Sequence, residues 1–113
     1  MIKQDIQKRS LKFGIEMAKY YLKLKDKKYY EIASQVFKSG TNIGANISEA
    51  QSGSSKKDFI NKMNIALKEG EETLYWFEIL EKGFNENIKD LQDECKELVK
   101  ILVTIIKNTK NNM

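Results

Sequence analysis

Chemistry in a protein needs side chains that can hold a proton, a metal or a nucleophile, and this sequence offers few of them. It contains no histidine and a single cysteine, Cys95. A serine or cysteine nucleophile therefore has no imidazole base. Structural zinc lacks its thiolates and imidazoles, and the Glu-x-x-His pairs of a di-iron bundle cannot be assembled. Carboxylates do pair along the chain, Glu71 with Glu72 and Glu69 with Glu72, but nothing around them forms a cleft, and they read as surface charge. Gly53-Ser54-Ser55-Lys56 lacks the spacing of a phosphate loop, and no strand precedes it. No catalytic residue, metal site or cofactor is expected. A disulfide within the chain is impossible, and Cys95 reads as a small buried hydrophobe in a reducing interior.

What remains is recognition. Residues 1–28 carry nine basic and three acidic side chains, although the net charge of the whole chain is only +4. At 100° per residue, Lys8, Lys12, Lys19 and Lys23 share a narrow arc of one helix, with Arg9 at its margin. Such a row can neutralise the phosphates of RNA or DNA, or can simply keep a helix face solvated. A second pattern lies at Gln35, Ser39, Asn42, Asn46 and Glu49, where steps of three and four hold the polar groups on one face. That line reads either as a ligand or nucleic-acid contact or as a hydrogen-bonded seam fixing register between helices or subunits. The same segment holds Gly40 and Gly44, each costing a helix about 1 kcal/mol. Four residues apart, they make a smooth strip against which another helix packs closely.

The elements that must position these residues are helices. The chain is 113 residues long, one domain spanning 1–113, with no proline and no apolar alternation of period two. Apolar spacing predicts helices over about 10–25, 30–50, 55–82 and 87–108, with Ser54 or Ser55 capping the third and the last residues fraying. The connections are short, so successive helices run antiparallel. The expected fold is all-α, an up-down antiparallel four-helix bundle. Charges interrupt the first dozen positions, and no uncharged stretch reaches the roughly 20 residues needed to span a bilayer. A cytoplasmic protein with no membrane partner is expected.

These helices carry more apolar surface than one bundle needs. The first has two stripes, Phe13, Met17, Tyr20 and Leu24, and then Leu11, Ile15, Ala18 and Leu22. In the third, Phe59, Ile60, Met63, Leu67, Leu74 and Phe77 form a core face, and Ile65, Trp76, Ile79 and Leu80 are expected on a second side. Surplus apolar surface with an aromatic anchor marks an oligomer interface.

The run Lys38-Ser39-Gly40-Thr41-Asn42-Ile43-Gly44-Ala45-Asn46-Ile47-Ser48-Glu49-Ala50 is preceded by Gln35. It is followed by Ser55-Lys56-Lys57-Asp58-Phe59, Ala66-Leu67-Lys68-Glu69 and Glu72-Thr73-Leu74-Tyr75-Trp76. Together these resemble the bacterial four-helix-bundle family of 23S rRNA intervening-sequence proteins, over roughly Arg9 to Ile106. The resemblance implies a small cytoplasmic bundle assembling as a ring-shaped homopentamer. It also implies kinship with the accessory protein that partners a reverse transcriptase in diversity-generating retroelements, with no enzymatic activity established. Gly53 departs from the family pattern where a basic residue is common, and Gly70 where alanine is. Two functions follow as expectations: a non-enzymatic scaffold associated with RNA or DNA, and a module whose partner is another protein.

Overall fold

The computed structural model describes residues 2–53 and 55–113, with side chains from Ile6 onward. Four helices follow in order, α1 (Ile2–Asp26), α2 (Tyr30–Ala50), α3 (Lys56–Phe84) and α4 (Lys89–Asn111). Each packs on its sequence neighbour and α4 returns to α1, so α1 faces α3 and α2 faces α4 across the diagonals of a bundle 47 × 21 × 21 Å in extent. The chain is an up-down four-helix bundle.

The core comes from one stripe of every helix. Phe13, Met17 and Leu24 of α1, Val36, Ile43 and Ile47 of α2, Met63, Phe77 and Leu80 of α3, and Leu98 and Leu102 of α4 are all sealed from solvent. Phe13 and Phe77 meet edge to face across the α1–α3 diagonal, with ring centroids 6.5 Å apart, the geometry that aligns a ring's positive edge with its neighbour's negative face.

Local chemistry sets the ends. α1 stops where Lys28 turns into the left-handed region at φ 67°. The Ser55 hydroxyl accepts from the Asp58 amide at 3.1 Å and caps α3, while Asp58 places negative charge in the first turn. Ser54, the alternative cap, lies outside the described residues. Four boundaries differ from the periodicity reading. α1 begins at Ile2 rather than Ser10, because Ile6 is a fully buried core residue and the Ser10 hydroxyl donates to the Gln7 carbonyl within the helix. α3 passes through Gly83 to Phe84, because Asn85, at φ 57°, supplies the left-handed residue that ends it. α4 begins at Lys89 and continues to Asn111, its last turn tied by Thr109 to the Ile105 carbonyl at 2.7 Å.

Close packing accounts for three glycines inside helices. A Cβ on Gly40 would stand 2.9 Å from Met17 Cγ, and one on Gly44 would stand 3.2 Å from the Ser10 carbonyl oxygen, so both lie where α1 and α2 approach. At Gly70 a Cβ would meet Val99 Cγ2 at 2.8 Å, which explains glycine in place of alanine at the α3–α4 contact.

Polar contacts close the α1–α4 side, the sparsest of the four helix seams. Arg9 donates from Nε and Nη2 to both carboxylate oxygens of Glu94, at 3.0 and 2.7 Å. The Tyr20 hydroxyl and Lys27 Nζ converge on Glu86 at 3.0 and 2.6 Å. Burial raises the Tyr20 phenol pKa, and the Glu86 carboxylate raises it further.

Candidate functional site

The polar line of α2 is divided between two environments. Ser39 is buried and its hydroxyl meets that of Thr73 in α3 at 2.8 Å, while Asn42 lies beside the Glu69 carboxylate and favours its charged form. Glu49 accepts from Lys62 at 2.8 Å, and Asn46 donates back to the Asn42 carbonyl of its own helix. Gln35 is exposed. Apart from Gln35 and Asn46, the line therefore faces α3 and sets the register of α2 against it. Glu69 sits partly inside this seam. Desolvation and the nearby Glu72 raise its pKa, opposed by Lys38 and Asn42.

Lys8, Lys12, Lys19 and Lys23 are all exposed along α1. Among the described residues, Lys19 is the one of the four with an ion-pair partner in its own helix, Glu16 at 3.3 Å, a contact between two exposed groups that contributes little. Arg9 does not extend this row. It was expected at the margin, but its bidentate bond to Glu94 turns the guanidinium toward α4. Planar fork geometry favours that pairing, and the acceptor lies 85 residues away in sequence.

The second apolar stripe of α1 is on the surface. Leu11 is 66% exposed, Ile15 49% and Leu22 61%. Leu11, Ile15 and Ala18 join Gly14 and the α2 residues Phe37, Thr41, Gly44, Ala45 and Ser48 around an open, mostly apolar groove of about 540 Å³, with Lys8 on its rim. On α3, Ile65 is exposed, and Trp76 and Ile79 are partly covered. Leu80 is a correction: it is fully buried. It stands three residues after Phe77 and seven after Thr73, on the face α3 turns to the core, and α3 buries a wider arc than its own sequence shows because α2 and α4 both pack on it.

Among the described residues no group of His, Cys, Asp or Glu could hold a metal ion, and no helix is long and apolar enough to cross a membrane. Cys95 is buried in α4 with its Sγ 3.5 Å from the Gly70 carbonyl, and burial pushes the thiol up to about 12, with Glu94 adding to the shift.

The geometry agrees with what the chain is similar to. Residues 3–104 match the model of the 23S rRNA-intervening sequence protein family. This chain belongs to that family. Among solved structures, a protein of unknown function from the S23 ribosomal protein family of Bacteroides thetaiotaomicron superposes with a TM-score of 0.91 at 37% sequence identity, covering 95% of this chain and 99% of that one. None of the curated proteins matches it. What sequence reasoning missed within this family member is the set of polar contacts beside α1: the Arg9–Glu94 pair to α4, and Glu86, in the turn before α4, which takes the Tyr20 hydroxyl and Lys27, partners that lie 59 to 85 residues apart in sequence.

Proposed function

We propose that this family member is a non-enzymatic cytoplasmic scaffold that assembles with copies of itself, as a homopentamer, and holds RNA or DNA on the outer face of α1. One observation carries the reading: α1 presents an exposed apolar stripe and, beside it, an exposed row of lysines. The apolar stripe favours association with protein. Lys8, Lys12, Lys19 and Lys23 supply exposed positive charge, and of the four Lys19 alone is ion-paired among the described residues. A ring would repeat the patch, and linked copies bind through effective concentration more tightly than one copy does.

Filter binding of a long structured RNA and a short oligonucleotide at roughly 50 and 200 mM salt tests the nucleic-acid part. The long RNA is expected to bind, steeply weaker at high salt and far better than the short one. Changing the four lysines to glutamate is expected to abolish binding while leaving the helical circular dichroism intact. Salt-insensitive binding, or none at low salt, would leave a protein-interaction module, which the groove between α1 and α2 also favours. Light scattering tests assembly, and a monomeric mass at micromolar concentration would refute it.

A further inference from the structure

We infer that the furrow between α1 and α4 takes one nucleic-acid strand at a time and refuses a duplex. The inference rests on the nucleic-acid reading above and names the form of the ligand.

The furrow follows the sparsest of the four helix seams. Two hollows of about 710 and 560 Å³ lie along it, and they share Glu16, Asp90 and Leu91, so they run together. The lysine row of α1 divides here. Lys8 lines the groove against α2, on the other flank of the helix, while Lys12, Lys19 and Lys23 line the furrow and Lys27 joins them. These four furrow lysines are all exposed. Lys19, Lys23 and Lys27 climb one turn at a time, about 6 Å along the axis per step, a spacing that a single file of phosphates can follow. The aromatic rings of the furrow, Phe13 and Tyr20, are buried, which leaves no platform for stacking bases. A strand is held here by its backbone, without preference for sequence.

The opposite wall has the opposite sign. Glu86, Asp90 and Glu94 follow one another in steps of four through the turn before α4 and into that helix. Lys27 and Arg9 pair with the outer two, at 2.6 and 2.7 Å. Asp90, between them, is exposed and has no ion pair among the described residues, since the neighbouring Lys89 pairs with Asp93 at 2.8 Å. On the α1 wall Lys12 and Lys23 are likewise without one among the described residues.

Width turns this asymmetry into a choice of ligand. The axes of packed helices stand about 8–10 Å apart, so the two walls are close neighbours. The grooves of B-DNA alone are about 12 and 6 Å wide, so a duplex bearing on the lysines carries its second strand over α4, where phosphates meet Asp90. A-form RNA, with two strands across a wide minor groove, meets the same wall. A single strand follows the lysines and leaves the acidic wall alone. Charge density by itself works the other way, because a duplex releases more counterions per contact than a single strand does. A preference for the strand is therefore a signature of the α4 wall and not of the lysines.

Filter binding at low salt of one mixed-sequence strand, alone and annealed to its complement, tests the inference. The strand is expected to bind about tenfold more tightly than the duplex, because like charges set against each other weaken a complex. Asp90→Asn is expected to tighten duplex binding several-fold while the strand changes less, with the helical circular dichroism intact. Asp90→Ser takes its place if that variant is not folded. A wild-type protein that binds the duplex as tightly as the strand overturns the inference, and so does a preference that survives in full without the Asp90 carboxylate. Either result leaves the nucleic-acid reading standing. Binding of neither form overturns both.

Discussion

Gly44 shows at the level of one residue how this sequence uses propensity against packing. Its Cα lies under the Ser10 backbone, and carbonyl atoms cannot rotate away as a side chain can. Gly44→Leu is expected to destabilise the fold by about 1–3 kcal/mol, with Gly44→Ala milder, read as a shift in the urea midpoint. Gly70 makes a paired case. Its missing Cβ accommodates Val99 Cγ2, and Val99 is stiff about χ1. Gly70→Ala alone should cost about 1 kcal/mol or more, and combined with Val99→Ala it should cost less than the sum of the two single changes. A strictly additive double-mutant cycle would show that the two positions do not press on each other.

Cys95 links a residue to pH. Its thiol is pushed up to about 12 in the folded chain by burial, while an unfolded chain ionises at about 8.5. Only the unfolded state gains from ionisation between those values. The stability contributed is fully present below about pH 8.5 and is lost as pH rises toward 12. Denaturant titrations should find a loss on the order of 1–2 kcal/mol by pH 10, and Cys95→Ala should flatten that part of the profile. Tyr20, also raised, acts in the same direction at higher pH.

At the scale of the element, α3 depends on its first turn. Ser55→Ala removes the acceptor for the Asp58 amide and should cost about 1 kcal/mol, with hydrogen exchange rising in the first turn of α3 before anywhere else in that helix. The elements also show what a sequence discloses. Period 3.6 marked all four helices, and in α1 it separated the buried stripe of Phe13, Met17 and Leu24 from the exposed one of Leu11, Ile15 and Leu22. That was legible because a helix with two apolar arcs can turn only one of them to a single core. Leu80 was misplaced because the width of a buried arc depends on how many helices pack there, a property of the assembled bundle. Arg9 was misplaced for a related reason: its carboxylate is 85 residues away. The start of α1 was drawn too late because helices can begin without a cap, and Ile6 alone does not reveal a core.

The whole molecule is held unevenly. α2 packs extensively on both neighbours, but α4 meets α1 along the sparsest seam, where Arg9 pairs with Glu94 and where Glu86, in the turn that leads into α4, takes the Tyr20 hydroxyl and Lys27. Glu86→Ala leaves the Tyr20 hydroxyl without its acceptor and should cost about 1–3 kcal/mol. Its larger effect should be on where the fold opens. Folded chains open in cooperative units whose free energies span from near zero up to that of global unfolding, and a helix gripped firmly on one side only belongs to the lower end. α4 is such a helix, and the lone thiol of this protein is sealed on it against the Gly70 carbonyl. Cys95 is therefore a built-in clock for the detachment of α4: a thiol reagent added to the native protein should react at the rate the helix swings out, faster in Glu86→Ala, while the amides of α2 exchange no sooner than the whole bundle unfolds.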